Sequence, residues 1–288
     1  MTLAAVPARP SALRATGWAL LYLGSGFVLM VVLTILGAKL TGGFDSASSG
    51  PRLLVIQTIS GLLAFGLGTW AIGRRGIGLS WEELRWAPVA GAGRGFALGL
   101  LLGSIPAALA LGLSLLVGGA HFVPDVGSGQ DYLVQVVRTG LLLAPAALLE
   151  EVMFRGVGQV VLARSIGRIP ALLLLSSLFA MAHLRNPNGT TLGLINIALA
   201  GVLLGVAFYA PGGIWTAWGA HLGWNATLAA LDAPVSGLPF RIPLIDYQPG
   251  GPQWLTGGTF GPEGGLLATA TIALATVAAW RWSGKELS

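Results

Sequence analysis

Apolar residues run through this chain in long blocks separated by short polar breaks, and the block lengths predict a series of membrane-spanning helices. The blocks lie at about Gly17–Leu40, Leu53–Gly73, Gly95–Gly118, Leu141–Ala163, Ile169–Leu184, Leu192–Tyr209, Ile214–Leu231 and Gly265–Trp282. Tyr132–Thr139 reads as a lead-in to the fourth block, which Pro145 either starts or kinks. Thr41–Gly50 is a Gly/Ser-rich turn, and tight turns are expected at Asn186–Gly189 and Pro211–Gly213. Ser80 with Glu83 three residues on makes a capping box. With Trp81 and Trp86 it predicts a short interfacial helix over Ser80–Trp86. His121–Asp131 is polar and reads as a loop. Asp232–Glu263 is rich in Pro and Gly and reads as a long loop outside the membrane. Gly95, Gly99 and Gly103 recur every four residues, a spacing that lets helices approach closely in lipid. The expected fold is all-α: a polytopic membrane helix bundle of about eight transmembrane helices, one membrane domain over residues 1–288.

Composition agrees. Only 9% of the residues are charged and 54% are hydrophobic, whereas a soluble domain carries about 25% charged residues. The mean hydropathy is +0.77. The net charge of +5 does not point to nucleic acid, because the basic residues gather at span ends rather than on one face. Arg9/Arg14, Arg74/Arg75/Arg85/Arg94, Arg164/Arg168 and Arg281/Lys285 fall on one side of an eight-span chain. Asp45, Asp125, Asp131, Asp232 and Asp246 fall on the other, with Arg52, Arg185 and Arg241 as exceptions. The positive-inside rule then places both termini of a cell-membrane protein in the cytoplasm. The first apolar run is longer than a signal-peptide core and reads as an uncleaved span. Absence of cysteine excludes disulfides, thiolate catalysis and Cys-ligated zinc.

Against this greasy background a few polar residues stand out. Glu150, Glu151 and Arg155 interrupt the fourth block, and intramembrane charges mark function by default. At about 100° per residue, Glu151 and Arg155 share a helix face and should pair. Glu150 points away from that pair and is left available. Phe179/His183 and His221/Asn225 follow, each pair one helical turn apart. Taken singly, His183 reads equally as an interfacial histidine, and His221–Asn225 as a helix-to-helix hydrogen bond. Taken together, they place two imidazoles, a carboxylate and an amide in neighbouring spans within 141–231, the expected catalytic core.

The familiar hydrolytic patterns are missing. There is no HExxH and no GxSxG, and every Asp lies in a predicted loop. What remains is a glutamate working with histidines. In that reading Glu150 takes a proton from a water held between it and His183, and the hydroxide equivalent attacks a carbonyl. His221 and Asn225 donate to the oxyanion. No cofactor is required, but Glu150, His183 and His221 are equally a ligand set for catalytic Zn2+. The partners are the lipid bilayer and a membrane-associated peptide or protein. Two other classes compete: a proton-coupled transporter, disfavoured because the first half has no matching Glu or His, and an inactive binding or immunity protein.

E-E-x-x-x-R at Glu150–Arg155, F-x-x-x-H at Phe179–His183 and H-x-x-x-N at His221–Asn225 occur in order over about a third of the chain. The set resembles the CPBP family of intramembrane proteases (CAAX proteases and bacteriocin-processing enzymes, also called ABI), which includes the type II CAAX prenyl endopeptidase. The resemblance implies a peptidase in which Glu150 and His183 activate water. His221 and Asn225 would hold the oxyanion, supported by Glu151 and Arg155. The family carries a metalloprotease label, although its better-understood member is regarded as a glutamate-dependent protease.

Overall fold

The computed structural model describes residues 10–42, 51–86 and 89–284. Arg9, Asp45, Lys285 and most of the expected 41–50 turn lie outside them. The chain forms α1 (Ala12–Leu40), α2 (Pro51–Gly68) with a π-helical extension over Thr69–Ile77, and α3 (Val89–Leu116). Strand β1 (Ala120–Pro124) precedes α4 (Gly129–Arg155), α5 (Val157–Ile166), α6 (Arg168–Ala182), α7 (Thr191–Tyr209) and α8 (Ile214–Ala230). Strand β2 (Ile245–Pro249), the single turn α9 (Gln253–Thr256), two 3-10 turns and α10 (Leu266–Ser283) complete it. The architecture is an all-α bundle, and among the described residues six helical stretches are long and apolar enough to cross a membrane.

The linkers sort to two ends of the bundle. At one end β1 pairs antiparallel with β2, from Ala120 opposite Pro249 to Pro124 opposite Ile245. Asn186 and Asn188 also bond Ser236 and Thr259 there. At the other end Trp86 bridges to Gly213, and Arg164 pairs with Glu83 at 2.6 Å. This alternation fits eight crossings, with α4 and α5 together forming one of them.

Four local details differ from the sequence pattern. The Ser80–Glu83 capping box forms in both directions, Ser80 N–H to Glu83 at 2.5 Å and Glu83 N–H to Ser80 at 3.0 Å, but it closes a turn rather than a helix. The 121–131 segment includes most of β1, whose pairing partner is far off in sequence. Residues 132–139 are not a separate lead-in but the first turns of α4, started by a Ser128–Asp131 capping box. The fourth apolar block breaks at Gly156, where a Cβ would stand 2.3 Å from the Val152 carbonyl oxygen. That carbonyl, orphaned by the helix end, accepts the Tyr22 hydroxyl at 2.8 Å.

The largest helix contact joins α3 to α8, and glycine makes it. A Cβ on Gly99 would lie 2.3 Å from the Thr216 carbonyl oxygen, and one on Gly103 would lie 1.9 Å from that of Ala220. Gly219 and Gly223 return the contact, 2.2 Å from the Phe96 oxygen and 2.3 Å from the Leu100 oxygen. Backbone therefore rests on backbone, and α8 is held in one register. We expect Gly103→Leu to force the helices apart and cost at least about 1–3 kcal/mol, read as a lower thermal midpoint in detergent. Gly112→Ala, where a Cβ meets nothing within 4 Å, should leave the midpoint unchanged.

Candidate active site

The α4 terminus carries the two glutamates into the bundle, where they do different things. Glu151 is completely buried and Arg155 is 1% exposed. They pair one turn apart at 3.2 Å. Arg155 also donates to the Gly201 carbonyl on α7 at 3.1 Å. Its guanidinium lies 4.7 Å from the Phe179 ring centre, a cation–π contact on the face of the aromatic. Phe179 is the hub of this corner: its ring also meets Phe154 edge-on at 5.4 Å, His183 at 4.7 Å and His221 at 5.9 Å.

Glu151 does more than pair with Arg155. The same Oε1 atom receives Nδ1 of His221 at 2.7 Å. A carboxylate already held by a guanidinium is an acceptor, so Nδ1–H of His221 donates and Nε2 is turned away. His183 is fixed in a similar way. It caps the C-terminus of α6, and its Nδ1 lies 2.8 Å from the Phe179 carbonyl oxygen, which only accepts. The neutral ring therefore presents the Nε2 lone pair.

Both Nε2 atoms face Glu150. Its Oε2 is 3.9 Å from Nε2 of His183 and 3.7 Å from Nε2 of His221. That oxygen is buried and has no hydrogen-bond partner among the described residues. The separations are too long for direct hydrogen bonds and suit a small bridging molecule. Asn225, one turn beyond His221 on α8, lines the same cavity of about 780 Å3 with Glu150, His183 and His221. Thus Glu150, Glu151, Arg155, Phe179, His183, His221 and Asn225, spread over three helices, converge on one corner. Glu150, His183 and His221 are the set that sequence offers for zinc. Even so, the described residues contain no group of three or more His, Asp or Glu side chains arranged to hold a metal ion.

Sequence reasoning missed a further carboxylate. Glu263, the last residue of the presumed loop, is buried in the cavity wall. It accepts Trp224 Nε1–H at 2.8 Å and the Ser236 backbone N–H. Burial pushes its carboxyl above the usual range, partly offset by those bonds. No pattern within 232–263 marks it, because its partners lie on other segments.

Comparison with known proteins bears on this cluster. The family described as type II CAAX prenyl endopeptidase Rce1-like has a model that matches residues 132–227. The CAAX-protease resemblance therefore holds for this third of the chain. The matched segment runs from α4 into α8 and contains all seven converging residues. No curated protein and no solved structure matches the chain. The family points to a peptidase acting in a membrane setting.

Arg155 is the counter-charge of the buried carboxylate beneath His221. Removing it strands that charge, so we expect Arg155→Ala to cost about 3–5 kcal/mol. Thermal unfolding in detergent measures this, and His221→Ala should be milder.

Proposed function

We propose that the protein is an intramembrane endopeptidase that cleaves a membrane-associated peptide or protein with a glutamate-activated water. One observation carries the reading: Glu150 Oε2, buried and without a hydrogen-bond partner among the described residues, faces two imidazole Nε2 atoms at 3.9 and 3.7 Å.

The water sits between Glu150 Oε2 and His183 Nε2, donating one hydrogen to each. Its free lone pair then points at the substrate carbonyl. As the oxygen–carbon bond forms, Glu150 takes one water proton. The charge gathering on the carbonyl oxygen is met by Nε2–H of protonated His221 and by the Asn225 amide. Glu151 supports the imidazolium through Nδ1, and Arg155 keeps Glu151 ionised. Collapse of the tetrahedral intermediate breaks the carbon–nitrogen bond, and Glu150 returns its proton to the leaving amine. Each step uses residues of this chain and a water alone.

Cavity shape supports a membrane substrate. The four polar groups share a space whose lining also includes Leu23, Phe27, Met30, Leu54, Phe65 and Leu143 from α1, α2 and α4. On the positive-inside reading, the 232–263 segment and His183 lie on the side away from the cytoplasm, with 141–231 as the catalytic core and both termini cytoplasmic.

The test is hydrolysis of a lipid-anchored fluorogenic peptide by purified protein in liposomes. We expect Glu150→Gln and His183→Ala each to lower kcat by about 100-fold or more. His221→Ala and Asn225→Ala should each cost about 100–1,000-fold. Wild-type rates in Glu150→Gln would end the assignment.

A further inference from the structure

Segment 232–263 folds back into the bundle, and its order has a cause in helix length. At about 1.5 Å per residue, the 15 residues of α6 span only about 22 Å, short of the roughly 30 Å hydrocarbon core. The backbone from His183 onward therefore becomes irregular within the thickness of the bilayer. Such backbone survives there only when covered by protein or lining a wet cavity. The turn Val235–Leu238 supplies the cover. Asn186 donates its side-chain amide to the Ser236 carbonyl at 2.9 Å, while its own N–H bonds the His183 carbonyl at 3.0 Å. Gly237 N–H bonds the Phe260 carbonyl at 2.9 Å. Gly237 has φ +84°, and a Cβ there would stand 2.0 Å from the Pro187 carbonyl oxygen, so the turn is pressed directly against the turn that follows α6.

Glu263 holds this turn from the other side. Its Oε2 receives the Ser236 N–H, and its Oε1 receives Trp224, which sits on α8 between His221 and Asn225. Its own backbone is pinned: Asn196 of α7 donates to the Glu263 carbonyl at 2.7 Å and to Gly265 at 2.9 Å, and Thr269 of α10 holds Asn196 at 2.7 Å. Two donors from different segments meet two separate carboxylate oxygens. A glutamine there would offer one acceptor and turn an N–H toward a donor. Burying a carboxylate is costly, and here the bonds from Ser236 and Trp224 offset that cost, one on each oxygen.

Building on the proposed function, we infer that Glu263 is a positioning residue: its carboxylate clamps the Val235–Leu238 turn onto the end of α6, and thereby fixes His183 opposite Glu150 while bracing α8. It acts through Ser236 and Asn186 on one arm and through Trp224 on the other. It exchanges no proton with substrate.

Hydrogen–deuterium exchange on Glu263→Gln in liposomes tests the clamp without needing turnover, and cleavage of the lipid-anchored fluorogenic peptide is measured beside it. Loss of one such bond should raise exchange about tenfold in residues 183–186 and 235–238, with α1, α2 and α3 unchanged. The kcat should fall about tenfold while KM stays within about twofold, since the nucleophile is misplaced but the apolar wall is intact. Unchanged protection in those two segments, or a rise spread evenly over the bundle, overturns the inference. Should Glu263→Gln not fold, Trp224→Phe removes one donor, keeps the carboxylate and is read by the same criteria. If wild-type protein cleaves nothing, the proposed function fails, and the exchange result still decides the clamp.

Discussion

A charge buried in lipid must find a partner, and the chain from Arg155 through Glu151 to His221 is how this protein meets that demand. Arg155 cannot lose its proton, so it must stay with an anion. Glu151 provides the anion one turn away and spends the same oxygen on His221. Phe179 covers the guanidinium with its ring face and packs on both histidines. The outcome is directional: Nδ1 of each imidazole is held by a fixed acceptor, the Phe179 carbonyl for His183 and Glu151 for His221. Glu150 Oε2 and the two Nε2 atoms are left facing one another, the arrangement that the proposed hydrolysis uses.

That network needs α8 in one exact register relative to α4, and the network cannot enforce it alone. Glycine does. The α3–α8 contact is backbone against backbone, so sliding α8 by a residue would drive carbonyl oxygens into Cα atoms. Dispersion forces grow with such close approach and supply attraction where lipid gives no hydrophobic incentive to associate. The stripe of glycines and the polar cluster lie on opposite sides of the same helix, one fixing what the other uses.

The break at Gly156 and the shortness of α6 belong to the same design. Ending α4 inside the bundle turns the chain so that α5 and α6 bring Phe179 and His183 back toward Glu150. Stopping α6 early puts His183 at a helix end with its ring free to turn inward. The backbone after His183 is irregular, and the segment after α8 packs on it through the Asn186–Ser236 bond and the Gly237–Pro187 contact. Glu263 and Ser236 therefore line the same cavity as the polar cluster although they come from a stretch with no helical pattern.

Much of this was legible from sequence. Apolar block lengths gave the helices, because in lipid every backbone group must bond within its own segment, leaving few alternatives to helix. Helical spacing paired Glu151 with Arg155 and set Glu150 apart. Scarcity of charge singled out the residues that converge. Other features depended on contacts between distant segments. The β1–β2 pairing joins residues more than a hundred positions apart. The Gly156 break lies inside a block that reads as one span. The Glu151–His221 bond, the tautomers it fixes and the clamp at Glu263 each involve partners on separate elements. Periodicity reports which face of a helix is which, a property of one segment. Which faces meet, and at what depth, is set by packing between segments, and only the folded bundle decides it.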